Sequence, residues 1–158
     1  MSTISAAIAS QILEDDSRWD LAEEFHIDSF LKSYSLHDSY WISLQTNCAW
    51  ENSAVAIIQL DSVWNPFVSA PTSHVADWPL LLLRFSCVSA IHLSGFRDNV
   101  RCQRGIGNVL VDHISEEEVT TKFLDHYGAS VEVRHFPLIK ALAMSPSGDT
   151  LKLSNQVA

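Results

Sequence analysis

Leu36-His37-Asp38-Ser39-Tyr40-Trp41-Ile42-Ser43-Leu44-Gln45 is the stretch on which the fold turns. Its hydrophobic period is two. Leu36, Asp38, Tyr40, Ile42 and Leu44 fall on one side, and His37, Ser39, Trp41, Ser43 and Gln45 on the other, which predicts a strand. Residues 47–53 supply a turn. Ala54-Val55-Ala56-Ile57-Ile58-Gln59-Leu60 follows as a second strand, apolar enough to be central. The connection is too short for a crossover helix, so the two strands form an antiparallel hairpin.

Working towards the N-terminus, the period lengthens. Ile4, Ile8 and Ile12 recur at helical spacing and predict a helix over residues 3–16. Ser17 is placed to cap a second helix, with Asp20 three residues on and Trp19, Ala22, Phe25, Phe30 and Tyr34 as its apolar face. Working towards the C-terminus, residues 63–78 form a long Pro- and Ser-rich loop anchored by Trp64, Phe67 and Trp78. Residues 80–85 continue or bend into a strand at 88–93, with Cys87 as a small core residue. Residues 95–107 are a second loop, carrying Arg97, Arg101 and Arg104, and 109–114 a further strand. Ser115-Glu116-Glu117-Glu118 has the capping-box form, and Val119, Phe123 and Tyr127 follow at i, i+4 and i+8 before Gly128. That predicts an inserted helix near 116–127. Residues 131–136, 139–144 and 150–153 read as the last strands, the final two joined by the turn 145–149.

The expected architecture is therefore α+β: two N-terminal helices, a mainly antiparallel sheet of six or seven strands, and one inserted helix. The chain of 158 residues is expected to be a single domain over 1–158, with a helical layer at 1–34 and a β-rich core at 35–158. That length buries roughly 70% of the unfolded surface, so no metal or disulfide is required.

Composition bounds the function. Ten Lys+Arg stand against 19 Asp+Glu, a net charge of −9. Phosphate contacts need clustered Lys and Arg, so nucleic acid is not an expected partner, nor is an anionic membrane. No run approaches the ~18 apolar residues of a spanning helix. The N-terminus lacks a basic residue before its small apolar stretch, and Glu14-Asp15-Asp16 follows, which argues against a signal peptide. The three cysteines, Cys48, Cys87 and Cys102, form no Cys-x-x-Cys pair and read as free thiols of a reduced cytoplasm.

Catalytic motifs are sparse. The seven histidines show no His-x-x-x-His, so no metal site is expected. No Gly-x-Ser-x-Gly elbow or phosphate loop occurs, and Arg104-Gly105-Ile106-Gly107 is two glycines in a loop. No cofactor is implied. Asp38, at an inward strand position, is either an acid–base group or a carboxylate fixing the strand start through local hydrogen bonds; the second outweighs the first. Should His37, Asp38, Asp112 and His113 converge, they would form the polar pocket of a small hydrolase or ligand-binding domain. Eight of the 19 acids fall within the first 38 residues, making Glu23, Glu24 and Asp28 candidates for an acidic docking surface. Exposed aromatics such as Trp41, Trp50 or Trp64 would be its anchors.

The Leu36-His37-Asp38-Ser39-Tyr40 strand start, an apolar second strand, Leu83-Arg84-Phe85 with Val88, and a late strand carrying Val111-Asp112 together resemble small bacterial immunity proteins of toxin–immunity pairs. The resemblance spans residues 35–145 at most. It implies a cytoplasmic, non-enzymatic protein that binds a cognate toxin, often a basic nuclease, and occludes it. It carries over no catalytic residue. A homo-oligomeric adaptor paired through an edge strand is the remaining alternative, and the oligomeric state is open.

Overall fold

The computed structural model describes residues 19–47, 52–95 and 105–153. Ten strands and one α-helix occur among them: β1 (Glu23–His26), α1 (Ile27–Ser33), β2 (Tyr40–Asn47), β3 (Ser53–Gln59), β4 (Leu80–Phe85), β5 (Ala90–Ser94), β6 (Ile106–His113), β7 (Val119–Asp125), β8 (Ser130–His135), β9 (Leu138–Met144) and β10 (Thr150–Leu151). They build two antiparallel sheets. The first has the order β1-β9-β4-β3-β2, with β10 also on β9; the second is β5-β8-β7-β6.

The chain is thus mostly β, and the α+β expectation with two N-terminal helices is overturned. The helix expected over 3–16 lies outside the described residues. The second expected helix is interrupted by a strand at Glu23–His26 and is helical only over Ile27–Ser33. Glu23–His26 pairs with β9, Phe25 standing opposite Ile139. Pairing gives β9 a partner on this side, and Phe25 packs on the core. Helix begins only at Ile27, where the His26 ring accepts from Asp28 N at 3.2 Å.

The inserted helix near 116–127 is also a strand, and the reason is instructive. Residues four apart share a face in a helix and equally in a strand, since four is a multiple of two. Val119 and Phe123 satisfy both patterns. Thr121 breaks the tie: it is fully buried beside them, and all three point into the interior from β7. Ser115 does use its side chain on the backbone, accepting from Glu117 N. That bond closes a hairpin turn, in which Ile114 N and Ser115 N both donate to Glu118 O.

The β2–β3 hairpin forms as expected, as do β4, β8, β9 and the 145–149 turn. The strand predicted from Leu36 begins only at Tyr40. Asp38 is not an inward strand residue; it sits in a turn with φ 62°. Cys87 is likewise at a corner, with φ 50°, and is exposed rather than in the core.

Two apolar layers hold the sheets. The larger lies between them: Ala56, Ile58, Leu81, Leu83, Phe85 and Ile139 of the first sheet meet Val119, Phe123, Val131 and Val133 of the second, with Phe30 and Tyr34 of the α1 region closing one side. The smaller covers the other face of the first sheet, where Val55, Ile57, Leu80, Leu82, Leu142 and Met144 pack with Trp19. The Arg84 guanidinium lies 5.6 Å from the Trp19 ring centroid. Both faces of β3 and β4 are buried, which explains their unbroken apolar runs.

Candidate functional site

The site grows from two turns locked together by buried polar groups. Ser39 Oγ accepts from Asp61 N at 2.9 Å. Asp61 Oδ1 accepts from Val63 N at 2.7 Å. Asn65 accepts from Ser35 N at 2.9 Å and donates to Ser35 O and Asp61 O at 2.7 and 2.9 Å. Ser39, Asp61 and Asn65 are all buried, so these bonds are shielded from water and specify one conformation. Farther along, Ser62 Oγ accepts from Thr72 N, and Trp78, buried and stacked on Tyr40, donates to Thr72 O.

The 61–68 turn held this way presents its apolar residues outward. Val63, Trp64 and Phe67 are 58%, 54% and 73% exposed. Trp64 and Phe67 therefore do not anchor the loop; Trp78 does.

Beside this turn stands Asp38. Its N–H donates to Ile106 O at 2.8 Å, and Ile106 N donates to Ser39 O at 2.7 Å. Three side-chain nitrogens surround the carboxylate: His126 Nε2 stands 3.1 Å from Oδ1, His37 Nε2 stands 3.3 Å from Oδ2, and Trp64 Nε1 donates to Oδ2 at 3.3 Å. His37 Nδ1 meets Gly107 O at 3.0 Å. The His37 ring stands edge-on to Trp64 and to His126, with centroids 5.3 and 5.9 Å away. Gly105 and Gly107 form the floor under His126. A Cβ on Gly105 would stand 3.1 Å from the imidazole Cδ2, and one on Gly107 3.0 Å from its Nδ1. The two glycines are there to let the ring lie against β6. Tyr127, the next residue, is 75% exposed.

The chemistry available here is limited by its own saturation. Both ring nitrogens of His37 face protein oxygens, and three side-chain nitrogens surround the two Asp38 oxygens. Asp38 is a hub tying three segments together, with an aromatic rim of His37, Trp64, His126 and Tyr127. Such a rim on a fixed backbone suits recognition of a partner surface.

The expected four-residue pocket does not form. His37 and Asp38 sit at the start of β6, whereas His113 is six residues farther along that strand, roughly 20 Å away at strand rise. There His113 Nε2 binds Asp28 Oδ2 at 2.7 Å, stacked beside His26 at 6.2 Å. Asp112 is exposed on the outer face of the second sheet. Among the described residues, no three His, Cys, Asp or Glu side chains are grouped to hold a metal ion.

The expected acidic docking surface is also redistributed. Glu24 stands opposite Lys140 across the β1–β9 ladder, and Asp28 is engaged by His113. Trp41 is half-buried with its ring 4.9 Å from that of Phe123, so it belongs to the core. Of the two expected anchors among the described residues, Trp41 and Trp64, Trp64 is the exposed one. Trp50, Arg97, Arg101, Arg104, Cys48 and Cys102 lie outside the described residues. His126 carried no signal in the sequence, and Gly105 and Gly107, read there as two glycines in a loop, prove to belong to the site. The alternate spacing of the two glycines is the one signal that could have found them.

Two buried titratable groups lie away from this site. Desolvation pushes His135 down to about 4. It is fully buried, donating from Nδ1 to Phe136 O and accepting on Nε2 from Thr121 Oγ1 at 2.7 Å. Burial, aided by the charge of Glu23, pushes Tyr34 up to about 12. Its hydroxyl donates to Leu153 O.

Compared with family profiles, with curated proteins and with solved structures, the chain matches none. No helix among the described residues is long and apolar enough to cross a membrane.

Proposed function

We propose that this chain is a non-enzymatic, protein-binding inhibitor of the immunity type, which occludes a basic partner in the cytoplasm. The observation that carries the reading is the 61–68 turn. Exposed Val63, Trp64 and Phe67 project from a backbone fixed by Ser39, Asp61 and Asn65. Clustered apolar exposure of this kind marks an interaction site, and anchors held in place beforehand lose little entropy on binding. The net charge of −9 supports a basic partner, through faster encounter and rejection of acidic competitors. The saturated hydrogen bonding at Asp38 fits a scaffold for binding better than a hydrolytic centre.

The test is capture of the partner from the native host by cross-linking, followed by measured affinities. Trp64→Ala with Phe67→Ala, in a protein with unchanged circular dichroism, should weaken binding at least about a hundredfold, as loss of two aromatic anchors does. Co-expression of the chain should restore growth to cells making the partner, and the double variant should not. Full affinity in that variant would move the interface elsewhere, and an acidic partner would sink the reading.

A further inference from the structure

The second sheet ends on β6, and the far side of that strand is an edge that no strand of the described residues covers beyond its start. Ile114 N donates to Glu118 O. In the alternating antiparallel ladder this makes Asp112↔Thr120 and Leu110↔Lys122 the hydrogen-bonded pairs of β6 and β7. Val109, Val111 and His113 therefore turn their N–H and C=O groups away from β7. Among the described residues the start of this edge is engaged: Ile106 exchanges two bonds with Asp38 and Ser39, Gly105 bridges Tyr40, and Gly107 O meets His37 Nδ1. Val109 N is met by its own neighbour, Asn108 Oδ1, at 2.9 Å. Among the described residues no strand pairs with Val111 or His113 on this side. A groove of about 400 Å³ runs beside the edge, between the Leu31–Leu36 segment and Gly107–Val109, with His37 and Trp64 at one end.

We propose that this edge takes up an extended, Lys- and Arg-bearing segment of a partner protein as an added strand. The inference deepens the protein-binding reading and rests on it. An open edge offers backbone hydrogen bonds to any extended chain, and the pockets beside it select the side chains. The pairing of residues 38–40 with 105–106 already starts a ladder there, which an incoming strand would continue towards His113. Charge selects the occupant. Asp112, Glu116 and Glu117 are exposed where the edge ends, against the single ammonium of Lys32 on the groove wall. Together with a net charge of −9, this disfavours a second copy of the chain and favours a basic segment.

Amide hydrogen exchange of the full chain tests it, with a synthetic peptide alternating Lys and Val as the probe. At millimolar peptide, exchange at Val111 and His113 should slow about tenfold or more, while the matching Glu–Val peptide gives no protection. Val111→Pro removes one edge donor at a position where an outer strand tolerates proline, and should abolish the effect. If that variant misfolds, the Lys–Val and Glu–Val peptides still decide the matter on the native chain. Absence of protection at both amides overturns the proposal, as does equal protection by the two peptides. Protection that grows with protein concentration and without peptide would assign the edge to a second copy, which also overturns it. Failure here with loss of partner binding in Trp64→Ala/Phe67→Ala leaves the protein-binding reading standing; full partner affinity in that double variant would remove the reading itself.

Discussion

His135 illustrates how a single buried residue sets a pH limit. Its neutral ring has a matched partner on each nitrogen and the face of Phe85 4.5 Å away between centroids. Protonation would place a charge in this apolar layer. The group titrates near 6.5 when unfolded and near 4 when folded. The unfolded chain therefore binds more protons between those values. Stability is full above about 6.5 and falls as the pH drops towards 4, by about 3 kcal/mol over the window. Urea unfolding at pH 7 and pH 5 should show a loss of about 2 kcal/mol. His135→Gln should remove that part of the loss while lowering stability at pH 7. An unchanged pH slope in the variant would place the acid sensitivity elsewhere.

Asn65 is the element-scale counterpart, since it decides where a whole turn sits. Its side chain satisfies Ser35 and Asp61 at once, in a buried setting. Asn65→Ala leaves those groups unpaired and should cost about 2–3 kcal/mol, measured by thermal or urea unfolding, and should quench or shift Trp64 emission as the turn loosens. Within elements, much was legible in the sequence and some was not, for definite reasons. The β2–β3 hairpin could be read because a clear alternation met an unbroken apolar run. Residues 119–125 misled because Val119 and Phe123 fit both periods, and because Ser115 caps a hairpin with the same bond that caps a helix. Residues 23–26 misled because strand pairing with β9 outweighed a weak helical pattern. At the site, Trp64 could be singled out by type, but its exposure depends on a buried network. His126 reaches Asp38 across 88 residues of chain, a contact that no local pattern encodes.

At the scale of the whole molecule, charge is the governing quantity. An excess of nine negative charges raises the encounter rate with a basic partner and makes that rate sensitive to salt. The association rate with the proposed basic partner, followed by stopped-flow tryptophan fluorescence, should fall on the order of tenfold from low to physiological ionic strength. If the proposed interface holds, the dissociation rate, set by short-range contacts of the aromatic turn, should change far less. A salt-independent association rate would remove electrostatic steering from the account.

The Asp38 hub also bears on how the chain reaches this structure. It joins residues whose separation, 70 positions between His37 and Gly107, is among the long-range contacts of the fold. Loop closure over such a distance is costly until both sheets are largely assembled, so the junction belongs to the late part of folding. Late contacts act mainly on the unfolding rate. The hub is thereby placed as a kinetic latch: Asp38→Ala should speed unfolding more than it slows refolding.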